Sequence, residues 1–139
     1  MIVWLVSFPR SGNTLFRMLV YHHYGIPTYS MSADPEFFRS NFHNEVGHMG
    51  WPPYGNDDEG IEKLVASPIT YFVKAHAGGP EHLKAEGKVI HIVRDGRDAI
   101  VSQCRRRARP ESVAYPEELW DRVTHSYWQD FVMAWKDTA

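Results

Sequence analysis

Three short segments hold the residues whose types and spacing could do chemistry. The first is Ser7-Phe8-Pro9-Arg10-Ser11-Gly12-Asn13-Thr14-Leu15, small and polar residues following an apolar run. If a helix starts near Asn13, the backbone N–H groups of Gly12, Asn13, Thr14 and Leu15 point at whatever lies before it. Those amides and the helix dipole attract an anion. Arg10 would add a fixed charge, and Ser11 and Thr14 would add hydroxyls. The segment is not a Walker A loop, because it lacks Gly-x-x-x-x-Gly-Lys-Ser/Thr. The plainer alternative is an ordinary strand–helix turn with a serine cap.

The second segment is Val73-Lys74-Ala75-His76. Two residues apart on a strand end, Lys74 and His76 face the same side. Imidazole titrates near neutral pH, so His76 there could act as a general base. A strand-end histidine is more often structural, and this pair alone decides nothing. The third segment runs from Val89 through Arg94-Asp95-Gly96-Arg97-Asp98 to Ser102. Arg94 leaves a strand and Ser102 sits about a turn into the next helix. Together they could hold one phosphate, the arginine by its fork and the serine by its hydroxyl. The alternative is that Arg94, Asp95, Arg97 and Asp98 pair among themselves at a helix start.

The elements that must position these residues alternate between strand and helix. Ile2 to Phe8 is a nearly continuous apolar run, the pattern of a central parallel strand buried on both faces. A helix follows from about Asn13, with Leu15, Met18, Leu19 and His22 at helical spacing, and Gly25 with Pro27 ends it. Residues 25 to 70 are less regular; within them Asp57 or Asp58 caps a short helix carrying Ile61, Leu64 and Val65. Ile69–Val73 is the second strand, 81–85 a short helix, and Val89–Val93 the third strand. A helix with Ile100 and Cys104 on one face follows and stops at Pro110. A last helix, rich in aromatics, runs from about Pro116. The alternation predicts an α/β fold with a parallel sheet flanked by helices. Such sheets bind ligands at the carboxyl ends of their strands, where all three segments lie.

The 139 residues suffice for one domain, and 43% hydrophobic with 23% charged residues is enough for a packed core. The net charge of −2 argues against a general nucleic-acid binder. Charge is uneven, however. Residues 34–62 hold seven acids against one base, and residues 94–109 hold six arginines against two aspartates. The second stretch makes a local positive field suited to an anionic ligand; for Arg105, Arg106, Arg107 and Arg109 a solvated helix face serves equally well. The single cysteine, Cys104, excludes an intramolecular disulfide and reads as a small core residue. The N-terminal apolar run is too short to span a membrane and lacks the flanks of a signal peptide, so a cytoplasmic domain is expected. His22, His23, His43 and His48 lack the spacing of a metal site, and none is expected. The aromatics of residues 37–54 read as loop packing or acceptor wall, not as a nucleic-acid platform.

Taken together the three segments resemble the sulfotransferase family that uses 3′-phosphoadenosine 5′-phosphosulfate (PAPS). That family carries a 5′-phosphosulfate loop, Pro-Lys-Ser-Gly-Thr-Thr-Trp, after its first strand. Pro9-Arg10-Ser11-Gly12-Asn13-Thr14-Leu15 is similar to it position by position. Lys74 and His76 match its Lys-x-His, and Arg94, Asp98 and Ser102 match its 3′-phosphate segment, Arg-x-x-x-Asp-x-x-x-Ser. The resemblance covers residues 2 to 104 and implies a P-loop-like nucleotide-binding fold. Arg10 stands for the usual lysine, and Asn13 and Leu15 for threonine and tryptophan. The family continues beyond these segments with another strand, more helices and a Gly-rich basic segment. Residues 1–139 are therefore expected to form the N-terminal part of one such domain.

The resemblance also implies roles. Arg10, Ser11, Gly12, Asn13, Thr14 and Leu15 would hold the phosphosulfate, and Arg94 and Ser102 the 3′-phosphate. His76 would be the base, and Arg10 with Lys74 would stabilise developing charge. The acceptor would be a small molecule, sugar or protein, and no metal would be required. Two rivals stand beside this expectation. One is a nucleotide-binding module without turnover. The other is a small P-loop kinase, which the missing Walker lysine and missing acidic Mg²⁺ ligand oppose.

Overall fold

The structure, a computed structural model, describes residues 1–31, 52–55, 57–76 and 83–107. Its centre is β1 (Ile2–Ser7), buried at every residue. A strand has apolar residues at consecutive positions only where both faces are covered. The side chains of Ile2, Trp4, Val6 and Phe8 enter one core cluster, while Val3 and Leu5 are buried on the other face. The remaining strands are β2 (Thr28–Ser30), β3 (Tyr71–Ala75) and β4 (Lys88–Ile92). All pair in parallel, in the order β2-β3-β1-β4. This is the expected α/β sheet of a P-loop-like fold.

Parallel neighbours require crossovers. The β1–β2 crossover carries α1 (Asn13–Tyr24) and the β2–β3 crossover carries α2 (Asp58–Ala66). After β3 the chain passes to the far side of β1, forms β4, and enters α3 (Gly96–Arg107). Asp57 caps α2 by accepting the Gly60 N–H at 2.8 Å. Ile61 and Leu64 of α2, with Ala99 and Ile100 of α3, join Val73 and the β1 residues in the core. Gly25, in the left-handed region at φ 66°, ends α1 by donating to the Tyr21 carbonyl at 2.8 Å. Among the described residues no helix is long and apolar enough to cross a membrane.

Several elements differ from expectation. β2 lies within the stretch expected to be irregular; it is three residues long and two of them are hydroxylic. β3 begins two residues later than Ile69, and β4 is shifted one residue earlier. Residues 83–85 are bends, not helix. In α1 the apolar residues at helical spacing do not face the core: Leu15 and Leu19 are each 59% exposed. Its buried residues are Asn13, Arg17 and Val20. Arg17 is fully buried and donates from Nε to Thr28 Oγ1 at 2.8 Å, joining α1 to β2. Burial pushes its pKa down to about 10. Val65, expected with Ile61 and Leu64, is 46% exposed. The side chain of Cys104, Pro110 and the aromatic helix from Pro116 lie outside the described residues.

Candidate functional site

The loop after β1 owes its shape to two left-handed residues, Arg10 at φ 70° and Gly12 at φ 99°. A Cβ on Gly12 would meet nothing within 4 Å, so the backbone angle and not crowding calls for glycine there. For Arg10 the same region costs roughly 1–2 kcal/mol. Two contacts from elsewhere in the chain hold it. Arg94 donates from Nη1 to the Arg10 carbonyl, and Arg10 donates from Nε to Ser102 Oγ, each at 3.1 Å. The segments after β1 and β4 are thus clasped together at the carboxyl ends of their strands.

Gly12 precedes α1 without a side-chain cap, and the first turn of α1 contains no acid. The leading amides of a helix have no intrahelical acceptor, so this end of α1 favours an anion. Beside it opens a cleft of about 260 Å3. Pro9, Arg10, Gly12, Asn13 and Thr14 supply one wall; Lys74, His76, Arg94 and Ser102 supply the rest. Among the described residues, three cationic side chains and no carboxylate line it. Such a cleft suits a ligand carrying several negative charges.

His76 lies one residue beyond β3, where the β1–β3 pairing has ended at Val6 opposite Ala75. Its Nδ1 is 2.8 Å from the Ser7 carbonyl. A carbonyl only accepts, so Nδ1 carries the hydrogen, and in the neutral ring Nε2 carries the lone pair. Lys74 is half-buried on the same side of β3.

Two residues expected to contact the ligand stand apart from the cleft. Ser11 is only 7% exposed, does not line it, and donates its N–H to the Phe8 carbonyl at 3.2 Å. Leu15 is exposed and also does not line it. Asn13 does line it, yet its side-chain amide turns into the protein, donating to the Leu5 carbonyl at 3.0 Å and Ser7 Oγ at 3.1 Å. The pairing weighed for the third segment is present in both its pairs. Arg97 and Asp95 form a forked pair at 2.8 and 3.1 Å, and the Arg97 hydrogen bonds pull the Asp95 carboxyl down to about 2. Arg94 forms a looser ion pair with Asp98 at 3.8 Å and at the same time donates to the Arg10 carbonyl. Sequence reasoning gave no role to Pro9 or Ser7. Ser7 was visible as the one polar residue closing the β1 run, but its carbonyl contact was not.

A family model described as Sulfotransferase domain matches residues 2–136, beyond the 2–104 of the motif resemblance. A WSCD family member from Aedes aegypti is 32% identical over 138 residues, covering 96% of this chain and 38% of that protein. Its counterpart from Drosophila pseudoobscura pseudoobscura is 29% identical, with 95% and 36% covered. One from Drosophila melanogaster is 29% identical, with 92% and 35% covered. The chain thus spans little more than a third of the length of these curated relatives. No solved structure gives a significant match.

Proposed function

The chain belongs to the sulfotransferase domain family, and we propose that it transfers a sulfuryl group from PAPS to a hydroxyl or amine of a small-molecule, sugar or protein acceptor. The observation that carries this reading is the meeting of His76, its Nδ1 hydrogen held by Ser7, with Arg10, Lys74 and Arg94 at one helix N-terminus. A donor with a phosphosulfate and a 3′-phosphate fits a cleft lined by three cations.

In this reading Arg10, the Thr14 hydroxyl and the leading amides of α1 take the phosphosulfate end. Ser11, packed beneath the loop, is left out of that set. Arg94 and Ser102 take the 3′-phosphate. The donor supplies an activated sulfuryl group, and the residues supply position, charge and a base. Nε2 of His76 accepts the acceptor's proton as the acceptor oxygen or nitrogen bonds to sulfur in line. The bond from sulfur to the 5′-phosphate oxygen breaks. Arg10 and Lys74 offset the charge gathering on the sulfuryl oxygens and the departing phosphate.

The test uses 35S-labelled PAPS with a panel of phenol, sugar and protein acceptors. Transfer is expected, and His76→Ala should lower the rate by about 10²–10⁴ while leaving nucleotide affinity nearly intact. His91→Ala is the control, since His91 lies within β4 and outside the cleft. Full activity in folded His76→Ala protein, or a loss of binding equal to the loss of rate, would overturn the assignment.

A further inference from the structure

Asn13 is a polar residue in an expensive place. It is 6% exposed, and its Oδ1 is buried without a hydrogen-bond partner among the described residues. An acceptor left unmet away from water is a standing cost. Turning the amide over would not help, because Oδ1 would then face the Leu5 carbonyl. The orientation is therefore set by what Nδ2 does: it donates to Leu5 O and to Ser7 Oγ, two residues apart on β1.

Ser7 is where two parts of the site meet. Its side chain accepts from Asn13 of α1, while its carbonyl accepts from His76 beyond β3. On the β4 side Ser7 pairs with Ile92; on the β3 side the ladder has already ended at Val6. Among the described residues, one flank of this last strand residue thus lacks a ladder partner. The Asn13 amide is what ties its side chain down.

We infer that Asn13 is a positioning residue which, through Ser7, fixes the tautomer and direction of the His76 ring. The inference rests on the reading of His76 as the base. It gives Asn13 a different task from ligand contact: it joins the start of α1, where the anion is held, to the group that handles the proton. The ring of His76 and the amides of α1 are registered to each other by one side chain.

The whole chain is labelled with ¹⁵N-histidine, and the His76 ring nitrogens are read by NMR above their titration. The unsubstituted protein should show the Nδ1-protonated ring. Asn13→Ala should shift it toward the Nε2-protonated form that unconstrained imidazole prefers. It should also lower kcat at least tenfold with the donor KM changed less than about twofold, the pattern of lost alignment. Ser7→Ala removes one of the two acceptors but leaves both carbonyls, so it should show the same effects to a smaller extent. It also carries the test if Asn13→Ala does not fold. An Nδ1-protonated ring with kcat within twofold of the unsubstituted protein, in whichever of these variants folds, would overturn the inference. Full activity in His76→Ala overturns the general-base reading instead, so the two failures are distinguishable.

Discussion

Arg94 serves the loop and lines the cleft at the same time. One guanidinium nitrogen holds the Arg10 carbonyl, a second lies 3.8 Å from Asp98, and the side chain still lines the cleft. Removing it should therefore harm every nucleotide somewhat and the 3′-phosphorylated one most. Charge-assisted hydrogen bonds contribute roughly 1.5–3 kcal/mol. Arg94→Ala should weaken adenosine 3′,5′-bisphosphate about tenfold or more beyond its effect on AMP, measured by calorimetry. Equal losses for the two ligands would reduce Arg94 to a loop clasp. The types of the site residues were legible because they recur at strand ends: Arg10 after β1, His76 after β3, Arg94 after β4. What each loop side chain faces was not legible. Ser11 is buried, Leu15 is exposed and the Asn13 amide turns inward, beside a loop in which Arg10 and Gly12 adopt positive φ. Linear spacing carries no sign of such a reversal.

Elements succeeded or failed by how strongly burial marked them. β1 was readable because it is covered on both faces and so is apolar throughout. β2 was not, since its Thr28 and Ser30 are buried yet hydroxylic, and Thr28 partners the buried Arg17. The same polar contact explains α1. Its core-facing side is built from Asn13, Arg17 and Val20, so apolar periodicity pointed to the wrong face. A tighter junction lies at the start of β4. A Cβ on Gly87 would come 2.6 Å from the Ile2 carbonyl and 3.2 Å from the Trp4 indole, whose Nε1 donates to the Ala85 carbonyl. The close neighbour is backbone of the central strand, which has nowhere to retreat. Gly87→Ala should destabilise by about 1–3 kcal/mol, as overpacking does. A Tm lower by on the order of 5 °C is expected in a thermal melt. An unchanged Tm would show that the turn into β4 yields at little cost.

At the scale of the molecule, the charges are sorted and not balanced in place. The net is −2, yet residues 34–62 carry seven acids to one base, while Arg10, Lys74 and Arg94 line a cleft with no carboxylate among the described residues. A ligand with several negative charges therefore meets an attractive local field on a chain whose overall charge would repel it. Screening tests that separation of local from global. The Debye length falls from about 10 Å at 0.1 M salt to about 3 Å at 1 M. Over the same range the donor KM should rise several-fold, because three cations act at short but partly wetted distances. The chemical step should respond less, since partners held in direct contact are screened less than charges acting at a distance. Lys74→Ala should lessen the salt dependence, because one attracting charge is gone. If net charge governed encounter instead, salt would screen a repulsion and KM would fall. A KM that stays flat or falls between 0.1 M and 1 M would mean that the three cations do not attract the donor as a group, and the loop amides would then have to account for its binding.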